Sequence, residues 1–463
     1  MLALTLAATA CTGEPPAAPP STVATVQFRL PPGAEVHPPA GAEAKLDHDA
    51  SIEVAPGEHA FEVTWGCQRG VATITAVAGQ THVMDLAASG LASARLVVRA
   101  TSVDGRELPV HVSLAMVGRI GSAPYGGGVD VPACESRIRI DAAEQPLGAF
   151  FEDVEFQAGG TETREIVLAP GPDVVRLRGG SFLLGPTPWL MDLSILESIN
   201  RSIEIDDEVY VTGLPERIRI EMPTFDLDRT EVTAAQFLAC RRAAAAPGPG
   251  GLAWCDDDPG CSALTGCYAD ARHRTFARND ALPFCTMPRY GEGFEPQPHK
   301  ENRPANCISK HDAALYCKWV GKRLPTDEEL EYAARSGDEL LTYPWGNARY
   351  TTEHGDRAQD SLWTGAPSYS WGELWQKAPY DVCTWTAGNS AQGICDLASN
   401  VMEMGNVGHP EWAPRFRMPD REYEPKRFQL GDWTDLEARE DVGFRCARDV
   451  SAGADWAPAE PAR

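Results

Sequence analysis

Between Ser309 and Arg335 the chain carries two helix starts and one stop, and this punctuation constrains its fold more than any other stretch. Ser309 and Asp312 form a capping-box pattern, which predicts a helix carrying Ala314, Leu315, Cys317 and Trp319. Gly321 would end that helix. Leu324-Pro325 then leads into a second capping box, Thr326 with Glu329, and a second helix with Leu330, Ala333 and Ala334 on its inner face. Two short amphipathic helices joined by a Gly-Lys-Arg-Leu-Pro turn are common among proteins. This wording, followed by Tyr343-Pro-Trp-Gly-Asn347, is not.

Four further segments stand in order around it. Upstream are Leu177-Arg-Gly-Gly-Ser-Phe-Leu-Leu-Gly185 and Phe225-Asp-Leu-Asp-Arg-Thr-Glu-Val-Thr-Ala-Ala-Gln-Phe237; downstream are Gly393-Ile-Cys-Asp-Leu-Ala-Ser-Asn-Val-Met-Glu403 and Val442-Gly-Phe-Arg-Cys-Ala-Arg448. Together the five closely resemble the core of the formylglycine-generating enzyme family, the sulfatase-modifying factors, over residues 173–449. The resemblance implies an α+β fold: an irregular domain related to C-type-lectin-like folds, with little regular secondary structure for its size. The 42 glycines and 37 prolines agree with that expectation. Related domains also serve as scaffolds that display variable loops over a braced core.

Residues 171–450 are assigned to this domain, and two small all-β sandwich modules are expected before it, at 22–90 and 91–170. In the first, Thr25–Leu30 alternates weakly, and Ala55-Pro-Gly leads into a strand with Phe61, Val63 and Trp65 on one face. Gly70–Leu86 adds two strands around Ala78-Gly79, and the unit loosely resembles the β-sandwiches called PEGA modules. Strands of the second are predicted at Arg95–Ala100, Val110–Met116, Arg137–Ile140 and Glu165–Leu168. Such modules serve as spacers or binding units. A disordered tail is expected over 451–463.

Leu2 to Ala10 is a short apolar stretch ending in Ala8-Thr-Ala-Cys11, which resembles a bacterial lipobox with Cys11 as the lipidated residue. A disordered apolar N-terminus is the alternative. The Pro-rich run Thr12–Ser21 reads as a tether, so residues 1–21 are expected to export and anchor the chain outside the cytoplasm, on a bacterial membrane. A lipid anchor is expected rather than a transmembrane helix, since no apolar run approaches the roughly 20 residues needed to span a bilayer. The formal charge of −25 argues against nucleic acid or anionic lipid as the main partner; a protein or peptide partner fits.

Thirteen cysteines leave twelve, an even number, if Cys11 is acylated, and so many suit an oxidising compartment where they can pair. The resemblance implies one bridge, Cys317 with Cys446; the family's second would need a cysteine at Ala334. Cys383 with Cys395, and Cys285 with Cys307, are plausible by proximity in sequence, and Cys67 could pair with Cys134 across the two modules. Cys255, Cys261 and Cys267 stand beside Asp256, Asp257 and Asp258, but their spacing matches common thiolate metal sites poorly, and loop disulfides are the simpler account. His273, His311 and His409 fit surface or capping roles.

The resemblance also implies a chemistry: a cysteine pair binds copper(I), activates oxygen and oxidises a substrate cysteine to formylglycine. That pair belongs before the Gly-Phe-Arg-Cys strand, where this chain has Arg427–Gly443, with Gly431-Asp-Trp433 as a worn motif and no cysteine between Trp433 and Cys446. Copper is therefore not expected, because no other soft ligand set is in view, and no catalytic residue is named. The family's calcium segment corresponds to Asp396-Leu-Ala-Ser-Asn-Val-Met-Glu403, which implies calcium ligands at Asp396, Ser399, Val401 and Glu403. The expected function is a membrane-anchored binding or scaffolding lipoprotein. The alternative is a copper- and oxygen-dependent oxidoreductase converting a sulfatase cysteine to formylglycine.

Overall fold

Alternation of inward apolar and outward polar residues, the period-two signature of a half-buried strand, runs through the described residues 22–37 and 46–184 and makes them almost wholly β. A computed structural model describes residues 22–37, 46–184, 218–245, 285–286, 299–308, 310–337, 341, 343–347, 379–398, 400–406, 427–428 and 442–450. In the first unit Ala24–Arg29 lies between Ser51–Val54, antiparallel, and Thr81–Asp85, parallel. A second sheet runs in the order Leu46–Asp47, Ala34–His37, Gly57–Trp65, Gln68–Ala76. Val26, Phe28, Phe61, Val63 and Trp65 form one buried cluster drawn from both sheets, with Phe28 meeting Phe61 edge-on at 5.4 Å. Gly79, at φ 74°, makes the turn before the last strand, where a side chain would be strained.

In the second unit Ser93–Ser102 pairs parallel with Thr161–Leu168 and antiparallel with Gly128–Pro132. Leu96, Val98 and Ile166 from this sheet share a core with Val112, Ile138 and Phe150 from the opposing one. That opposing sheet does not stop with the unit. Its seven strands run Gly118–Ala123, Val110–Leu114, Glu135–Ala142, Phe150–Glu155, Val174–Leu177, Phe225–Asp228, Ala447–Asp449. The boundary at residue 170 therefore separates strands that belong to one continuous sheet: Phe150 and Phe151 pair with Val174 and Val175, and Val174–Leu177 pairs with Phe225–Asp228. Side chains reinforce the seam. Buried Asp226 takes Arg176 Nε at 2.8 Å and Arg448 Nη2 at 2.7 Å, while Arg448 Nη1 donates to the Val167 carbonyl at 2.8 Å. Arg137 grips Asp153 with two hydrogen bonds of 2.7 and 2.8 Å and reaches the Ala391 carbonyl at 2.6 Å.

Beyond the seam the described residues hold three α-helices, Ala234–Ala245, Lys310–Trp319 and Asp327–Ala334, so the described chain is mostly sheet with few helices. The second capping box is present in full: Thr326 Oγ1 accepts from Glu329 N at 3.2 Å, and Glu329 Oε2 accepts from Thr326 N at 2.8 Å. Gly321 takes φ 69°, the left-handed conformation that ends the preceding helix. Ser309 lies outside the described residues. Leu330, Ala333 and Ala334 are buried. No helix among the described residues is long and apolar enough to cross a membrane.

Candidate functional site

Arg445, in the Gly-Phe-Arg-Cys segment, has no exposed surface. A buried guanidinium requires a counter-charge and acceptors for five N–H groups. Nε and Nη2 each reach one oxygen of Glu403 at 2.6 Å, a bidentate pair. Nη2 also donates to the Cys395 carbonyl at 2.9 Å, and Nη1 to the carbonyls of Asp228 at 3.1 Å and Arg229 at 3.3 Å. All five donors thus have acceptors, three of them main-chain carbonyls, at the end of the Phe225–Asp228 strand and in the irregular segments at Arg229 and Cys395. Burial alone would lower the pKa of Arg445; the charges of Glu403, Glu231 and Asp396 more than reverse that and raise it.

A second ion pair adjoins the first. Asp228 Oδ1 accepts from Lys322 Nζ, and its Oδ2 accepts from Cys446 N at 2.9 Å. Both side chains are buried. Burial pushes the Asp228 carboxyl up by more than Lys322 and the Cys446 N–H pull it down.

Bridges pin the ends of this cluster. Cys446 joins Cys317 on the Lys310–Trp319 helix, with Cα atoms 5.5 Å apart, and Cys395 joins Cys383 at 5.1 Å. Cys285 joins Cys307 at 5.5 Å, and Cys67 joins Cys134 at 6.5 Å, tying the first β unit to the second. The structure thus brings together each of the four pairs considered from the sequence. All nine described cysteines, these eight and Cys240, are disulfide-bonded. Cys11, Cys255, Cys261, Cys267, His273, His409 and Trp433 lie outside the described residues.

Of the four calcium ligands implied by resemblance, Asp396 and Glu403 fall in this cluster, Val401 is buried beside it, and Ser399 lies outside the described residues. Glu403 has both oxygens on Arg445. Asp396 sits at φ 61° with Oδ2 accepting from Cys383 N at 2.5 Å and Oδ1 buried without a hydrogen bond. Among the described residues no three His, Cys, Asp or Glu side chains form a metal cage.

Sequence reasoning missed Glu231. Its side chain is wholly buried and neither carboxylate oxygen receives a hydrogen bond. Burial first, then the charge of Asp396, raises its pKa well above the usual carboxylate value; Asp396 is raised too, mainly by burial. Two ionised carboxylates cannot donate to one another, so the pair can hold one more positive charge, a proton or a cation. The available signal was the place of Glu231 in Thr230-Glu-Val-Thr233, a carboxylate next to an apolar residue in one of the five matching segments.

Comparison with known proteins meets this geometry. The family model of the Sulfatase-modifying factor enzyme 1-like domain matches residues 161–414, beginning at the first residue of the last strand of the second β unit. The inactive C-alpha-formylglycine-generating enzyme 2 of Bos taurus is 32% identical over 176 residues, covering 34% of this chain and 52% of the relative. The formylglycine-generating enzyme of Thermomonospora curvata is 38% identical over 110 residues, covering 22% of this chain and 33% of the relative. That of Mus musculus is 49% identical over 49 residues, covering 11% and 13%. The chain thus spans about half or less of the length of these relatives. The crystal structure of CarF aligns over 60% of this chain and 99% of its own, at 16% identity and a TM-score of 0.33. With the family model matching more than half of its 463 residues, the chain belongs to the family of the Sulfatase-modifying factor enzyme 1-like domain.

Proposed function

We propose that this chain is an exported, lipid-anchored binding or scaffolding protein whose formylglycine-generating-enzyme-like domain does not perform copper-dependent oxidation. The cysteine inventory carries this reading. Copper(I) needs a soft ligand pair, and the sequence has no cysteine between Cys395 and Cys446, both of which are in bridges. The nearest thiols on either side of the stretch that would house the pair are therefore already consumed. An inactive relative from Bos taurus shares 32% identity, so membership of the family is compatible with loss of its chemistry. The lipobox-like Ala8-Thr-Ala-Cys11 and the Pro-rich run after it support anchoring outside the cytoplasm.

The second reading, oxidation of a sulfatase cysteine to formylglycine, is favoured by relatives named as formylglycine-generating enzymes. One assay separates the two. The chain from residue 22 onward is incubated with copper(I), oxygen and a peptide carrying Cys-x-Pro-x-Arg, and conversion of thiol to aldehyde is followed by mass spectrometry. The binding reading expects no product beside an active control enzyme. Turnover would overturn it. Anchoring is checked separately: Cys11→Ser should release the protein from the membrane fraction, and an unchanged distribution would remove the lipid anchor from the account.

A further inference from the structure

Among the four bridges whose two cysteines are both described, one differs in its exposure. Cys285–Cys307, Cys317–Cys446 and Cys383–Cys395 each hold at least one buried cysteine. In Cys67–Cys134 neither is buried: Cys67 is exposed and Cys134 half-buried. Both stand in turns. Cys67 follows Gly66 in the two-residue turn between Gly57–Trp65 and Gln68–Ala76, and Cys134 lies between Gly128–Pro132 and Glu135–Ala142. Disulfide exchange requires a thiolate to reach a sulfur, so an exposed bridge reacts first and a buried one waits for its core to open.

The exposed bridge is also the one that joins two separate cores. Among the described residues no sheet holds strands of both β units. Their apolar clusters, around Phe61 and Trp65 in the first and Leu96 and Phe150 in the second, are distinct. What meets between them is small. Val117 packs over Gly33 and Gly66, and Pro132 over Gly66, where a side chain on Gly33 would collide with Val117 and one on Gly66 with Pro132. Stable interfaces bury about 1,000 Å² or more, which two side chains over two glycines do not reach. Ala92, in the connection between the units, is bonded to a neighbour of each cysteine. Its carbonyl accepts from Gln68 Nε2 at 2.8 Å and from Ala133 N at 3.1 Å, and its N–H donates to Gln68 Oε1 at 2.9 Å. With the bridge open, the covalent path from one core to the other runs through Ala92 alone.

We propose that Cys67–Cys134 is a redox latch: a dithiol reductant opens it while the core bridges stay closed, and the first β unit then pivots about Ala92. A reductant thiolate attacks the exposed Cys67 sulfur, and Cys134 leaves as a thiolate, with the Ser136 hydroxyl 3.8 Å from its sulfur. The second reductant thiol displaces Cys67 from the mixed disulfide. The bridge gains two electrons and two protons, and the dithiol is oxidised to its own disulfide. Opening uncovers the Val117 contact and makes the distance from the first unit to the C-terminal domain variable. The inference stands whether or not Cys11 carries a lipid and whether or not the domain oxidises cysteine.

The full chain is exposed to dithiothreitol under native conditions, free thiols are blocked with iodoacetamide, and peptide mass spectrometry follows each bridge. Cys67 and Cys134 should be alkylated at least about tenfold faster than Cys317 and Cys446. Small-angle X-ray scattering of the same samples should show a larger maximum dimension once that bridge is open. The double variant Cys67→Ser, Cys134→Ser should reproduce the open shape without reductant. Equal labelling rates for Cys67–Cys134 and the buried bridges would overturn the latch. So would scattering that is unchanged after Cys67 and Cys134 are alkylated, a result that needs no variant to fold.

Discussion

Between the two sheets of the Ser93–Leu168 unit the shared core is mostly apolar, from Leu96 and Val98 across to Ile138 and Phe150, with one buried carboxylate, Glu152, paired with Arg164 at 2.8 Å. Most other charges lie outside, as where Arg99 meets Glu165 with side chains 48% and 76% exposed. Around Arg445 the buried residues include Asp228, Glu231, Lys322, Asp396 and Glu403, each less than a tenth exposed. The difference follows from the backbone. In a regular sheet the ladder satisfies the main chain and leaves mainly apolar side chains to bury. Where the sheet gives way to irregular segments, Arg445 donates to three main-chain carbonyls, those of Asp228, Arg229 and Cys395. A charged core is the consequence of burying loops, and the two bridges at Cys395 and Cys446 hold those loops in place.

Arg445→Ala should have the largest effect. It leaves Glu403 buried without its bidentate partner and the carbonyls of Asp228 and Cys395 without the Arg445 donor, so a loss of about 3–5 kcal/mol in urea unfolding is expected. The double variant Arg445→Met, Glu403→Leu sharpens the comparison, because an apolar replacement of a buried ion pair is often neutral. Here it should recover only part of the loss. Full recovery would mean that the carbonyls need no donor, and the contrast between the two cores would collapse.

Leu96→Ala attacks the other core by opening a cavity, at a cost of about 3 kcal/mol. Because one sheet runs from Gly118–Ala123 to Ala447–Asp449, the damage should not stay in the β unit. Tryptophan fluorescence and far-UV circular dichroism should report a single shifted transition. Two separated transitions would show that the seam at Phe150–Val174 is not cooperative, and that the regular and irregular cores fold independently. A smaller effect belongs to Thr326→Ala, which removes one half of the capping box on the Asp327–Ala334 helix. It should cost about 1 kcal/mol, measurable as a modest shift in the urea midpoint.

What could be read from the sequence was what depends on neighbours. Thr326 and Glu329 are three residues apart and bond to each other, so the second helix start was visible. Phe61, Val63 and Trp65 alternate within one strand, and all three are buried. The Cys317–Cys446 pairing, across 129 residues, came only through the family resemblance, since spacing gives no handle on it. The seam was invisible for a related reason: nothing local in Phe150–Glu155 says that its next partner is Val174–Leu177, or that a sheet begun in the β unit ends at residue 449. Asp228, Glu231 and Lys322 were missed because a charged residue usually marks solvent, and their burial depends on Arg445 and Cys446, more than a hundred residues away. Glu403 was found for its place in a motif, but its partner was not, because a sequence does not show which carbonyls a guanidinium must serve.

Tyr316→Phe should have the smallest effect and probes the border between the two kinds of core. The ring packs with Phe237, Trp319 and Phe444, with centroids 6.0, 5.8 and 5.6 Å away, yet its hydroxyl is buried with no hydrogen-bond partner. Removing an unsatisfied hydroxyl and keeping the ring should leave stability near neutral pH unchanged or raise it by up to about 1 kcal/mol. Burial, and then the charge of Asp228, raise the Tyr316 pKa well above its ordinary value of 10.0. Above pH 10 the unfolded chain therefore releases this proton first, and the parent loses stability as pH rises from there toward the folded value. The phenylalanine variant has no such proton, so its advantage should widen in alkaline urea melts. A variant less stable than the parent by more than about 1 kcal/mol at pH 7 would mean that the hydroxyl is bonded after all. Tyr316 would then belong to the polar brace around Asp228 instead of the apolar cluster it packs in.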